Sequence, residues 1–187
     1  MKAALSVLCA LLLLCASTAA EAQEPRRDRL PAWLYEVRFA VLSHDVDDLW
    51  SGDRREGGID WNAELVFGRE GWSLLRGTVR PQLGVSVNDQ GDTSKAYAGL
   101  LWEFEADWGG FFATGIGAAI HNGELDTNDP DRKELGSRVL FRIPIELGVR
   151  IGGHHRISIA FDHVSNANLA DENEGLDTLG LRYGYRF

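Results

Sequence analysis

The sequence has little cysteine, no excess of basic residues and no long apolar run beyond its first residues. Its two cysteines, Cys9 and Cys15, both precede residue 22, so the rest of the chain excludes disulfides, cysteine nucleophiles and cysteine-ligated metals. The 28 acidic residues outnumber the 19 basic ones, and the net charge of -9 argues against nucleic acid as a partner. After residue 22 no apolar run reaches the roughly 20 residues that a transmembrane helix needs.

The first 22 residues have the features of a secretory signal peptide. Lys2 is followed by an apolar run from Ala3 to Ala16, and the segment closes on Ala20-Glu21-Ala22. This run is too short to cross a membrane as a helix. We therefore expect residues 1–22 to be a cleaved signal peptide, 23–32 an unstructured lead-in and 33–187 a single folded domain.

Beyond residue 32 the dominant pattern is an alternation of apolar and polar residues. Every second residue from Val139 to Ile151 is apolar, and such a period of two is typical of strands with one apolar face. Pro81 and Pro144 each lack a backbone donor, so we expect local breaks in pairing there. The pattern predicts eight strands, at 33–43, 58–67, 74–88, 95–106, 110–121, 137–151, 155–166 and 176–187.

The connections between these strands alternate in length. Short turns are predicted near 68–72, 107–109 and 152–154, and the loops between them are mostly longer and polar. This alternation is typical of an all-β, eight-stranded antiparallel up-and-down β-barrel. A soluble barrel with an apolar interior has the same period, so the alternation by itself leaves both architectures open.

Three features favour a transmembrane barrel in the cell outer membrane. Trp33, Trp72 and Trp108 fall near the short turns, where an interfacial girdle is expected. The last residues, Tyr183 to Phe187, resemble the terminal strand that the barrel-insertion machinery reads. The polar face also carries charges of both signs, which can pair inside a narrow barrel. The expected inward residues are Glu64, Arg76, Arg80, Glu103, Glu105, Arg142, Glu146, Arg150, Arg182 and Arg186.

Three polar residues fall on the face that is otherwise apolar. His163 and Ser165 share the face of Phe161 on the seventh strand, and Asp177 lies on the corresponding face of the eighth. Antiparallel pairing would bring the three together, and a serine becomes a nucleophile when a base and an orienting acid are beside it. The alternative is that they are solvated residues at the barrel rim.

The surrounding residues favour the catalytic interpretation. The stretch from His163 to Leu169 reads H-x-S-N-A-x-L, and N-x-G-x-acid follows from Asn173 to Asp177. This pattern resembles the lipid A 3-O-deacylase (PagL) family, also described as acyloxyacyl-hydrolase-like. The resemblance is strong over about 15 residues and elsewhere extends to length, strand pattern and C-terminal position.

The resemblance implies an enzyme that removes the ester-linked acyl chain at the 3 position of lipid A, without a cofactor. It implies that His163 is the base, Ser165 the nucleophile and Asp177 the acid, where the family pattern has glutamate. Asn166 and Asn173 match family asparagines and are expected to support an oxyanion hole. Asn168 also departs from the family pattern, which has glycine there, and Glu174 is a nearby competing candidate for the acid.

The favoured hypothesis is therefore an esterase that faces lipid A in the outer leaflet, with the acyl chains along Phe161, Leu179 and Leu181. A non-catalytic structural or adhesive barrel and a soluble periplasmic barrel are the alternatives. The sequence leaves open whether the barrel is a monomer or a homodimer.

Other candidate motifs carry weaker signals. Gly115-Ile-Gly117 lies in a predicted strand with no helix after it, which argues against a dinucleotide loop. The segments 44–48 and 124–131 could bind a divalent cation, but the second lacks the spacing of a calcium loop, and solvated loops are the favoured interpretation. His154 and His155 are interpreted as polar turn surface.

Overall fold

A computed structural model describes residues 33–53 and 55–187. The predicted signal peptide, 1–22, and the predicted lead-in, 23–32, lie outside the described residues. Within the described part of the chain, no helix has the length and apolar character required to cross a membrane.

The described residues form an antiparallel sheet that closes on itself. Each long strand pairs with its neighbours in the chain, and β1 pairs with both β2 and β9, which closes the barrel. The predicted eight-stranded up-and-down barrel is confirmed, because β3 is a short continuation of β2 along β4. The strands are β1 (Leu34–Ser43), β2 (Ile59–Phe67), β3 (Trp72–Leu74), β4 (Gly77–Asn88), β5 (Lys95–Glu105), β6 (Gly110–His121), β7 (Val139–Ile151), β8 (His155–Ser165) and β9 (Leu176–Arg186).

The predicted turn at 68–72 is wrong. Residues 68–71 instead make an excursion between β2 and β3, with Gly68 and Gly71 at positive φ. The turn lies at Leu75 and Arg76, whose φ angles are 47° and 65°, and β4 begins only at Gly77. The error arose because these turn residues are not the glycine or asparagine that such a backbone prefers. Arg76 is consequently an exposed turn residue. The alternation had predicted that it would point into the barrel, and that prediction is wrong.

Ion pairs fill the interior of the barrel. The buried guanidinium of Arg38 lies 3.0 Å from Glu36, 3.2 Å from Glu64 and 3.1 Å from Glu146. Buried charges need such partners because desolvation is otherwise costly. The other charged side chains expected to point inward are buried or half-buried, apart from Arg76.

The outer wall is apolar, as the transmembrane interpretation requires. Side chains that alternate with the buried charges are exposed, among them Phe39, Val41, Leu147, Ile159 and Leu181. The alternative of a barrel with an apolar interior is therefore wrong. At the loop end of the interior, a small apolar cluster lies beneath the loops; its members are Tyr97, Ala119, Leu135, Leu140, Val164 and Leu176.

The two ends of the barrel differ in the way that was predicted. Short connections lie at one end, and the loops after β1, β4, β6 and β8 lie at the other. Trp33, Trp72 and Trp108 are exposed at the short-turn end. Pro144 interrupts the pairing of β6 with β7, which skips from Thr114–Ile145 to Gly117–Arg142. The candidate site lies at the opposite, long-loop end.

Candidate active site

The pairing of β8 with β9 brings the three predicted site residues together. His163 and Asp177 are direct cross-strand partners, and Ser165 follows two residues later on the same face of β8. The Nδ1 atom of His163 lies 2.7 Å from a carboxylate oxygen of Asp177, and its Nε2 lies 3.1 Å from the Ser165 hydroxyl. Since a carboxylate only accepts hydrogen bonds, Nδ1 donates to Asp177 and Nε2 is left to accept from Ser165.

The carboxylate of Asp177 is fully buried and engaged at both oxygens. The second oxygen accepts hydrogen bonds from the backbone amides of Trp50 at 2.7 Å and Ser51 at 2.8 Å. The amide of Val46 also donates to the Asp177 carbonyl, at 3.0 Å. The loop after β1 therefore crosses β9 and fixes this residue.

Trp50 from the same loop covers the imidazole. Its ring stacks on that of His163 at 4.4 Å between centroids, with 9° between the planes. Although His163 is on the outer wall, it is only 5% exposed as a result. Gly175 lies close by: a Cβ at this position would be 3.3 Å from His163 Cε1, and its φ of +69° favours glycine.

The turn after Ser165 is built by asparagines. Ala167 and Asn168 both have positive φ, and the amide of Leu169 closes the turn on the Asn166 carbonyl at 3.2 Å. Asn168 thus adopts the left-handed backbone expected at a position where glycine was anticipated. The Asn166 amide group donates to the carbonyls of Leu135 and Glu172. Asn173 accepts from the Asn166 backbone amide at 2.9 Å, so the two predicted supporting residues hold each other.

Glu174, the competing acid, makes other contacts. One of its oxygens accepts from the Glu134 amide at 2.7 Å, and the other pairs with Arg55 at 2.7 Å. The His163 Nδ1 contact goes to Asp177 instead.

A cleft of about 550 Å³ opens beside Ser165 on the outer wall. Its apolar side is formed by Ile116, Phe141 and Ile143, on β6 and β7. The residues expected to hold an acyl chain, Phe161, Leu179 and Leu181, do not line it. The remaining lining residues are Trp50, Ser51, His163, Ser165, Ala167, Asn168, Asn173, Glu174 and Gly175.

The loop that carries Trp50 is anchored by a buried histidine. His44 lies between two carboxylates, with Nδ1 2.7 Å from Asp60 and Nε2 3.0 Å from Glu56. Burial opposes the charge, but the hydrogen bonds to Asp60 and Glu56 outweigh it and raise the pKa of His44 to about 9. For the Glu56 carboxyl, burial by itself would raise the pKa, but hydrogen bonds from His44 and Thr93 outweigh this effect and lower the pKa to about 2. The interpretation of 44–48 as a solvated loop is therefore wrong at His44 and at the buried Asp45.

Sequence reasoning missed Trp50, Ser51 and His44 because their roles depend on contacts between distant parts of the chain. An aromatic residue in a polar loop was the one available signal.

Of the weaker motifs, Gly115 and Gly117 lie within β6, and His154 and His155 are exposed around the start of β8. In the part of the chain that the structure describes, no three His, Cys, Asp or Glu side chains are grouped so that they could hold a metal ion.

Comparison with known proteins identifies the same family that the sequence motif resembles. The model of the family described as lipid A 3-O-deacylase (PagL) matches residues 55–186. The lipid A deacylase PagL of Bordetella bronchiseptica is 30% identical over 155 residues, which cover 79% of this chain and 75% of that protein. The crystal structure of the outer membrane enzyme PagL superposes with a TM-score of 0.59 and 20% identity, covering 80% of this chain and 97% of the other; this likeness concerns the fold.

Proposed function

The chain belongs to the lipid A 3-O-deacylase (PagL) family, and we propose that it is a serine esterase acting on lipid A in the outer leaflet of the outer membrane. The reaction is hydrolysis of the ester that joins the 3-position acyl chain to the sugar. The observation that carries this proposal is the continuous hydrogen-bonded series from Ser165 through His163 to Asp177.

In the proposed mechanism, Ser165 Oγ attacks the ester carbonyl while His163 Nε2 takes the hydroxyl proton. Asp177 holds the ring and stabilises the imidazolium that forms. When the tetrahedral intermediate collapses, the imidazolium gives its proton to the departing sugar oxygen. Water, activated by the same imidazole, then releases the 3-hydroxy fatty acid and restores Ser165.

The negative oxygen of the intermediate needs hydrogen-bond donors near Ser165. The backbone amides of Ala167 and Asn168 belong to the turn that lines the cleft, and we assign this role to them. Asn166 and Asn173 support the oxyanion site by holding that turn, since the Asn166 side-chain amide already donates to two carbonyls. This division of roles refines the expectation from the family pattern.

The apolar side of the cleft supports a path for the acyl chain. The apolar surface extends from Ser165 across β7 to β6 and is formed by Ile116, Phe141 and Ile143. We therefore expect the acyl chain to lie on this surface and not along β9. The apolar outer wall supports placement in the outer membrane, with Phe187 at the end of the terminal strand read by the insertion machinery. The proposal includes export by a signal peptide at residues 1–22, and it is compatible with either a monomer or a homodimer.

The test is release of 3-hydroxy fatty acid from lipid A by the purified barrel in detergent. We expect Ser165→Ala and His163→Ala each to lower the rate by on the order of a thousandfold or more. Ser73→Ala, at an exposed serine of β3 at the other end of the barrel, is the matched control and should leave the rate unchanged. Near-normal release by a folded Ser165→Ala protein would contradict the proposed nucleophile.

A further inference from the structure

We infer that residues 44–53, called here the Trp50 loop, are a positioning element for the active site. Trp50 fixes the plane of the His163 ring, while the Trp50 and Ser51 amides fix the Asp177 carboxylate. This inference rests on the proposed function, because it assigns a role to the loop in activating Ser165.

The hydrogen bonds to Asp177 come from two sides. One oxygen accepts from His163 on β8, and the other accepts from the consecutive amides of Trp50 and Ser51 at 2.7 and 2.8 Å. A carboxylate held at both oxygens cannot rotate away from the imidazole. The loop thus directs a short acid side chain at His163 Nδ1.

The imidazole is held in a similar way. Its two nitrogens contact Asp177 and Ser165, which lie along the ring edge, and these contacts alone allow the ring to tilt. The Trp50 indole lies flat against one face, 4.4 Å away and only 9° from parallel. Tilting the ring would therefore break the stack, and Nε2 remains aimed at the Ser165 hydroxyl.

The Trp50 loop is itself held from across the barrel mouth. The buried ammonium of Lys133, from the β6–β7 connection, donates to the carbonyls of Asp53 at 2.6 Å and Ser51 at 3.4 Å. Lys133 also pairs with Asp45 at 3.4 Å. At the start of the loop, His44 is clamped between carboxylates. These contacts fix the loop before any substrate arrives, which is what a positioning element requires.

Because Trp50 also lines the cleft, a role in binding the acyl chain is the competing explanation. The two roles differ for a small reagent that never occupies the acyl path. A short-chain alkyl fluorophosphonate reacts with an activated serine: Ser165 Oγ bonds to phosphorus, fluoride leaves and His163 takes the hydroxyl proton. Its rate of labelling therefore reports on the Ser165–His163 pair without lipid A.

The experiment compares Trp50→Leu and Trp50→Phe with Trp61→Leu, a control at an exposed tryptophan on the outer face of β2. We expect Trp50→Leu to lower both the labelling rate and kcat by about tenfold, with KM changed less than about twofold. Trp50→Phe retains a stacking ring and should restore most of both rates, and Trp61→Leu should match the wild type. If the leucine variant does not fold, Trp50→Gln, which suits an exposed loop position, repeats the test.

Labelling at the wild-type rate in folded Trp50→Leu, with KM raised, would overturn the inference and make Trp50 a wall of the acyl site. Failure of the proposed function itself has a different signature. The wild type would then label no faster than Ser165→Ala, and the positioning role would fall with the nucleophile.

Discussion

At the scale of single residues, Asp177 is a position in the proposed triad where the chain departs from the family pattern. The aspartate side chain is long enough to reach His163 because the two residues are direct cross-strand partners, with 2.7 Å between the hydrogen-bonding atoms. The carboxylate is fully buried, and two amides occupy its other oxygen. A longer side chain would have to displace these partners.

Variants of the two carboxylates test this account. We expect Asp177→Asn to lower the initial rate of acyl release on the order of a hundredfold or more, because an amide does not stabilise the imidazolium. Asp177→Glu should also lose activity, since an extra methylene overpacks a filled site. The resemblance to a family with glutamate at this position would by itself predict that glutamate is tolerated. Glu174→Gln should stay near the wild type, because Glu174 contacts Arg55 and the Glu134 amide.

The reverse order, with Glu174→Gln harmful and Asp177→Asn silent, would make Glu174 the orienting acid. Full activity in both variants would reduce the site to a Ser-His pair. Folding of each variant is checked by heat-modifiable migration on gels.

At the scale of secondary-structure elements, the alternation of residues predicted the strands and the face that carries the site. His163, Ser165 and Asp177 could be placed together because side chains on a strand have a fixed period of two. The Trp50 loop could not be predicted in the same way. Its contact with Asp177 joins residues 127 positions apart, and nothing local to residues 44–53 specifies it.

The turn between β3 and β4 is a second feature that could not be predicted from local sequence. Leu75 and Arg76 adopt positive φ, a backbone that is unfavourable for both residues and was therefore not predicted from them. Closure of the barrel imposes this turn, because β3 must continue the pairing of β2 along β4.

Replacing the turn with Leu75→Asn and Arg76→Gly should therefore stabilise the barrel, by about 1–2 kcal/mol in its free energy of unfolding. Both side chains are exposed, so little packing is lost. Urea unfolding of the barrel in lipid vesicles measures the change, and Ser73→Asn on the adjacent exposed strand is the control. An unchanged or lower stability of the double variant would show that the turn is not strained.

At the scale of the whole molecule, the filling of the barrel determines where a substrate can bind. Arg38 and its carboxylate partners occupy the interior, so no acyl chain can be accommodated there. The outer wall is apolar, and the cleft beside Ser165 opens on this wall near the long loops. Lipid A, the substrate in the proposed function, would present its ester at this depth with its apolar chains against the wall.

The most direct measurement is mass spectrometry of lipid A from cells that express the wild-type chain or Ser165→Ala at equal levels in the outer membrane. The account predicts that the wild type removes one 3-hydroxyacyl group from lipid A and that Ser165→Ala removes none. Lipid A of unchanged mass in cells with a folded wild-type barrel, or the same loss of mass with Ser165→Ala, would contradict it.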